Sequence, residues 1–422
     1  MMLSKATQPR LSRAFLLLLV VLIALAAVGC SAAPSRGWSG PLVSDNVLYV
    51  GTLQGKILAL DLASIDPAGG QPPVPLWEPK VVAERTSGGG FGCGGGVSTA
   101  MGIYGTPVVK NGRIYLGAYS GIVLWITSDG KAVSDPAFET DGSIVGSVVI
   151  DGDTLFVGTT GGALYALSLD LEEEWRFETK GEIWSTPVVD KGIVYLASAD
   201  HNLYALDAGS GKEIWRFETK AAIMSTPLVA DGRVYLGGCD RRFYSIEAAS
   251  EEERLAAVGG GSPTVRQSQA VFEGASNWFW TQALAHNGEV WVGCLDHKVY
   301  VLDAETLEYV SEISTGGMVY TPPVLLPSEG VVVVGSQDGK IYAVNSETKD
   351  VTVYVIDAET EEVVESPDKP KDRLSPILAP LCVDTVNGII YFHSQDGTHT
   401  LYAFKLATKE VLWSFRTDKI SG

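Results

Sequence analysis

The chain has 422 residues, 31 Lys and Arg against 50 Asp and Glu, and a formal net charge of −19. That balance excludes binding to nucleic-acid phosphates, and docking on anionic lipid through a basic face. With 46% apolar residues and 5 cysteines, the composition also excludes a disordered chain and a disulfide-built scaffold.

Residues 1–13 are polar and carry Lys5, Arg10 and Arg13 without an acid, and residues 14–28 are an unbroken apolar run. A bilayer core takes about 20 apolar residues, so the run is short for a span and suits the apolar region of a signal peptide. It ends Ala27-Val28-Gly29-Cys30. Small residues leading into a cysteine resemble the lipobox of bacterial lipoproteins, with Ala27 where Leu is usual. The resemblance implies a signal peptide over residues 1–29, lipidation of Cys30 and a short tether over residues 30–36. The alternative is an ordinary secretory signal cleaved near Ala32 or Ala33. Either places the mature chain outside the cytoplasm.

From residue 37 onward the chain repeats. Trp175-Arg-Phe-Glu-Thr-Lys-Gly-Glu-Ile-Trp-Ser-Thr-Pro-Val-Val189 and Trp215-Arg-Phe-Glu-Thr-Lys-Ala-Ala-Ile-Met-Ser-Thr-Pro-Leu-Val229 are nearly the same segment. Between them lies one unit of four short apolar strands divided by turns. Its third strand recurs eight times, beginning at Ile57, Val123, Leu164, Leu203, Phe243, Val299, Ile341 and Leu401. Short β-branched and aromatic runs bounded by turn residues predict strands. Asn111-Gly112, Asp231-Gly232, Asn287-Gly288 and Asn387-Gly388 predict tight type I′ hairpins after the first strand, and hence antiparallel pairing. Four-stranded antiparallel units with a period of roughly 40 residues predict an all-β, eight-bladed β-propeller over residues 37–422. The ring closes either by packing alone or by a strand exchanged between the termini.

Ala205-Leu-Asp207-Ala-Gly-Ser210-Gly211-Lys-Glu-Ile-Trp215 resembles the PQQ-like (quinoprotein-type) repeat, whose pattern is Ala-x-Asp-x-x-Thr-Gly-x-x-x-Trp. Residues 403–413 keep its Ala and Trp but carry Lys405 and Lys409 for the Asp and Gly, and residues 301–306 keep its middle. That family places the Trp between neighbouring blades. The resemblance therefore implies interblade positions for Trp77, Trp175, Trp215 and Trp413.

With strands lettered A to D from the channel outward, A–B and C–D turns share one face, while B–C turns and D-to-next-A links share the other. Extra sequence at residues 79–102, 252–277 and 358–375 reads as D-to-A links, so all three insertions are expected on one candidate binding face. The B–C turns of blades four to six open there, with Asp200-His201, Asp240-Arg241-Arg242 and Asp296-His297-Lys298, and Arg266 lies in the adjoining insertion. These cations either hold an anionic group or acidic partner, or pair with the aspartates beside them. Aligned on Ser-Thr-Pro, the A strands also place Trp38, Tyr104, Trp184, Trp280 and Tyr320 in a ring at the channel mouth, with Val145, Met224 and Leu378 at the remaining positions. Such a ring suits stacking on a planar ligand or sugar, or packing between blades.

Residues 88–96 spell Gly-x-Gly-x-x-Gly but lie in a link of an all-β unit, without the strand-to-helix setting that gives the spelling meaning. His201, His286, His297, His393 and His399 make no metal-spaced pair, and no catalytic, metal or cofactor site is assigned. Cys93, Cys239, Cys294 and Cys382 allow three complete pairings. Cys239 and Cys294 fall one register step apart on opposite sheet faces, which argues against a bond between them.

A signal and lipobox followed by eight PQQ-like repeats resemble the BamB family of outer-membrane assembly lipoproteins. That resemblance implies a non-enzymatic, monomeric, lipid-anchored scaffold without a cofactor, binding a protein partner in the cell envelope through loops on one face. In a two-membrane cell it implies the outer membrane, since Ser31 is not the Asp of inner-membrane retention. In a single-membrane cell it implies the outer face of the cytoplasmic membrane. A PQQ and calcium dehydrogenase shares the repeat, although those enzymes carry adjacent cysteines and this chain has none. A carbohydrate-binding propeller is the third reading.

Overall fold

The computed structural model describes residues 39–417 apart from residues 53, 66–70, 82–83, 86–98, 101, 358–359, 366–375 and 395–398. Eight sheets of four or five strands follow one another along the chain, each built on a four-stranded antiparallel meander, and they form an eight-bladed β-propeller. Blade four shows the unit: A is Val188–Asp190, B is Ile193–Ala197, C is Asn202–Asp207 and D is Glu213–Glu218. Strands B and C are buried almost throughout, because a blade is covered on both faces by its neighbours. Phe156, Leu164 and Ala166 of blade three thus share one apolar cluster with Val194, Leu196, Tyr204 and Leu206 of blade four.

Turn chemistry sets the pairing. Asn111-Gly112, Asp231-Gly232 and Asn287-Gly288 hold positive φ at both positions, between 50° and 75°, as type I′ turns demand. The fourth expected turn is longer. Strand A of blade eight ends at Asp384 and B begins at Ile389. The Asp384 carboxylate accepts the backbone N–H groups of Val386 and Asn387, both at 3.0 Å, and only Gly388 takes a positive φ. A side-chain acceptor at the strand end builds an Asx-type turn in place of the two-residue hairpin.

The Ser-Thr-Pro motif ties the inner strands together. Thr106 N–H donates to Ser147 Oγ at 2.9 Å, Ser147 N–H to Thr186 Oγ1 at 2.9 Å, and Thr186 N–H to Thr226 Oγ1 at 3.1 Å. Each bond crosses from one blade to the next. Gln282 Nε2 continues the series by donating to the Pro227 carbonyl at 2.9 Å. The A strands of blades one and eight, Leu42–Ser44 and Cys382–Asp384, are neighbours. Leu48, Val50, Leu58 and Leu60 pack with Tyr391, Leu401, Ala403 and Trp413. Among the described residues the four strands A to D of every blade follow one another in sequence, with none exchanged between the termini, so the ring closes by packing.

Two insertions fall where their positions predict. Residues 79–102 begin in the outer strand of blade one, where Lys80–Val81 pairs with Lys56 and Ile57 of its C strand, and lead on to A of blade two. Residues 358–375 follow D of blade seven, Val351–Ile356, which carries a fifth, antiparallel strand, Val363–Glu365. The third corrects the expectation that all three share one face. C of blade five is Phe243–Glu247 and its D strand is Ala270–Phe272, paired Phe243 to Phe272, so residues 248–269 form a C-to-D connection opening on the opposite face. Ser250 caps the helix Glu251–Val258 in a reciprocal capping box with Glu253. Thr264–Val265 then pairs in parallel with D of blade four, Trp215 opposite Thr264. The insertion covers the open edge of blade four, a place where unpaired backbone groups otherwise invite association.

Candidate functional site

The face bearing the B–C turns is built on four repeated clasps. Asp200, Asp240, Asp296 and Asp338 accept the hydroxyls of Tyr204, Tyr244, Tyr300 and Tyr342 in the C strand that follows. Their Oδ2 atoms also accept backbone N–H groups of the incoming D-to-A link, from Lys180, Lys220, Ser276 and Gly316, at 2.9 to 3.1 Å. Burial acts to raise the Asp200 carboxyl, but the hydrogen bonds from Lys180, Tyr204 and Asn202 outweigh it and hold the group below its usual range. The turns are therefore fixed to both the blade and the link beside it.

These clasps leave the neighbouring cations to other partners. Arg242 pairs with Glu273 at 2.6 Å and Lys298 with Glu312 at 2.7 Å. Arg266 pairs with Glu247 at 3.0 Å and Glu253 at 2.5 Å, and its guanidinium lies 5.4 Å from the Trp215 ring. Among the described residues none of them ion-pairs with the Asp beside it: the tyrosines and link amides take the Oδ2 atoms of those carboxylates, and Asp296 Oδ1 is buried without a partner. His201, Arg241 and His297 sit exposed at the turn tips with φ of 75°, 66° and 70°. Lys180 and Lys220 project beside them from the links. None of these five forms an ion pair with an acid among the described residues. Lys180 and Lys220 were readable from the repeated Trp-Arg-Phe-Glu-Thr-Lys segment, which places a lysine at the same link position twice. A cavity of about 470 Å³ opens at this rim, lined by His201, Phe217, Thr219, Lys220, Val265 and Gln267 among others; Glu218 is the acid on its wall.

At the channel mouth on the same face, Trp184 of blade four meets Trp280 of blade six, ring centroids 6.4 Å apart and edge to face. Blade five lies between them, so the rings reach toward one another across the position of Met224. Trp280 meets Tyr320 in the same geometry, also at 6.4 Å, and the three rings are partly exposed. Tyr104 packs on Tyr119 at 5.1 Å instead. Trp38 lies outside the described residues.

The four repeat tryptophans occupy blade boundaries. Trp77 donates its Nε1–H to Ser128 O at 3.1 Å, and Trp175 to Ala208 O at 3.0 Å, each in the next blade. Trp215 and Trp413 are fully buried, in clusters shared with blade five and blade one respectively.

The family model of the outer membrane protein assembly factor BamB matches residues 26–173, 111–210 and 172–415. The chain belongs to the BamB family. Among solved structures, BamB from Moraxella catarrhalis is similar at 17% identity over 87% of this chain and 94% of its own, with a TM-score of 0.60. The computationally designed Ika8 protein is similar at 14% identity over 88% of this chain and 97% of its own, with a TM-score of 0.63. At these identities the likeness is one of fold. No curated protein sequence matches.

In this BamB-family chain Cys239, Cys294 and Cys382 are free thiols. Burial pushes the Cys239 thiol up to about 11 and raises those of Cys294 and Cys382. Cys93, the glycine run of residues 88–96, and the signal, lipobox and tether with Cys30 lie outside the described residues. Among the described residues no acid, histidine and cysteine group is arranged to hold a metal ion, and no helix is long and apolar enough to cross a membrane.

Proposed function

We propose that this BamB-family propeller is a non-enzymatic scaffold of the cell envelope, binding a protein partner of the outer-membrane assembly machinery through the face that bears its B–C turns. The observation that carries this reading is the set of three exposed cations, Lys180, Lys220 and Arg241, with the exposed imidazoles of His201 and His297 beside them, held on rigid turns and links of a chain with a net charge of −19. The Oδ2 of every nearby clasp aspartate is occupied by hydrogen bonds, and Arg242, Lys298 and Arg266 are paired with glutamates. Lys180, Lys220 and Arg241 thus keep unpaired positive charge on a pre-organised surface that also carries Glu182 and Glu218, and that positive charge is what would select an acidic partner. The chain acts as a monomer, without a cofactor, tethered by lipid on Cys30. It sits at the outer membrane of a two-membrane cell, or on the outer face of the cytoplasmic membrane of a single-membrane cell.

Crosslinking in native membranes followed by pull-down tests this. Wild type captures a partner, and the triple variant Lys180→Glu/Lys220→Glu/Arg241→Glu, folded by its thermal melt, loses it. Equal capture by both proteins, or by neither, overturns the reading.

A further inference from the structure

The aromatic cluster and the exposed cations occupy the same sector of the same face. Trp184, Met224 and Trp280 are the mouth residues of blades four, five and six, and His201, Arg241 and His297 are the turn tips of those three blades. Strands in a sheet lie about 4.8 Å apart, so a B–C turn stands on the order of 7 Å outside the A strand of its own blade. An aromatic centre is thus rimmed by the Arg241 guanidinium and the imidazoles of His201 and His297, at a distance that an extended chain spans in about two residues.

The chemistry of the centre selects among occupants. Trp184 and Trp280 are large, partly exposed and fixed edge to face, so each keeps ring surface open to solvent. A sugar seated on them needs polar groups beside the rings. The carboxylate there, Glu182, already accepts the Trp184 Nε1–H at 2.6 Å. An apolar or aromatic side chain needs only the rings and the Met224 thioether. Tryptophan and tyrosine gathered at the centre, with arginine and lysine at the rim, is the composition of a protein hot spot. Beyond the rim the cavity beside His201 and Lys220 is large enough to receive a further side chain.

We propose that the partner enters this face as an extended acidic segment carrying one aromatic or large aliphatic anchor. The anchor lodges against Trp184, Met224 and Trp280, and the flanking carboxylates meet Lys180, His201, Lys220 and Arg241. This inference rests on the scaffold reading above and names the chemistry of the partner.

The test is site-specific photocrosslinking in the full chain, in native envelopes, with p-benzoylphenylalanine in place of Met224, run beside general amine-reactive crosslinking. The linked partner segment is sequenced by mass spectrometry. The expected result is an acidic segment with an aromatic or large aliphatic residue at the linked position, and a yield cut about tenfold or more by Trp184→Ala/Trp280→Ala in a variant that melts as wild type does. If amine-reactive crosslinking captures a partner while position 224 captures none, captures a basic segment, captures a glycan, or is indifferent to the tryptophan pair, this inference falls and the scaffold reading stands. If neither chemistry captures a partner, the scaffold reading itself falls and takes this inference with it.

Discussion

The indole of Trp175, on the outer strand of blade three, donates its Nε1–H to the carbonyl of Ala208 in blade four, and Gly211 lies over the ring so closely that a Cβ there would stand 2.5 Å from Cε3. Gly211 also holds φ at +69°. The Asp-x-x-Thr/Ser-Gly-x-x-x-Trp pattern is therefore the trace of one contact repeated between blades: the glycine of one unit makes room for the tryptophan of the unit before it. Trp77 repeats it with Ser128 and Gly130. Gly211→Ala is expected to destabilise the propeller by about 2–4 kcal/mol, through positive φ and overpacking together. Trp175→Phe, which keeps an aromatic and loses the hydrogen bond, is expected to cost about 1–2 kcal/mol. Chemical denaturation of both variants checks the order.

The hydroxyls of the inner strands support the ring blade by blade. Thr226→Val keeps the shape of the side chain and leaves the Thr186 N–H without its acceptor at 3.1 Å. A loss of about 1 kcal/mol is expected by denaturation, with faster hydrogen exchange at the Thr186 amide as the local signature. Exchange at Thr186 unchanged from wild type would show that the hydroxyl does not hold the joint.

Acid sensitivity should come in two windows. The first belongs to His393. Its Nε2 is buried without a hydrogen-bond partner among the described residues, and burial, reinforced by His399, pushes the imidazole down to about 4. A histidine with a depressed folded-state value binds its proton more readily when unfolded. Its contribution is therefore full above the unfolded value of about 6.5 and is lost as pH falls from there toward 4. Thermal melts between pH 7.5 and 4.5 should fall more steeply for wild type than for His393→Gln.

The second window is lower and belongs to Asp207, whose side chain is 3% exposed and bonds to Arg254 at 2.7 Å. Burial acts to raise its carboxyl, and the bonds from Ser210 and Arg254 outweigh it, so the group titrates below its usual range. For a depressed acid the stabilisation is present above the unfolded value of about 3.9 and disappears as pH falls through the folded one. Asp207→Asn should be less stable than wild type at pH 7, and the gap should close on acidification below about pH 4.

What the sequence discloses follows from how local each signal is. The eight C strands and the hairpins at Asn111-Gly112, Asp231-Gly232 and Asn287-Gly288 are written in consecutive residues, and a fold made of such units is legible from them. Blade five is different. Its D strand, Ala270–Phe272, is three residues of weak pattern, and the strand before it, Thr264–Val265, takes its meaning from a parallel pairing with blade four some fifty residues away. No local periodicity carries that information, so the pattern predicts a link over residues 252–277 where the structure has a C-to-D connection followed by D itself. The candidate site divides in the same way. His201, Arg241 and His297 are found from turn position alone. The engagement of Arg242, Lys298 and Arg266 depends on glutamates brought near by folding, and the freeing of Lys180 and Lys220 depends on clasps closed across blades.

The measurement that bears most directly on the scaffold claim compares two charge reversals of equal size on opposite faces. Lys220→Glu/Arg241→Glu alters the B–C face, while Lys131→Glu/Lys191→Glu alters the C–D and A–B turns of the other, where both lysines are more than 80% exposed. Crosslinking yield in native membranes should collapse for the first pair and stay at the wild-type level for the second. Equal loss from both pairs would reduce the effect to net charge, and loss from the second alone would place the partner on the opposite face; either result contradicts the account.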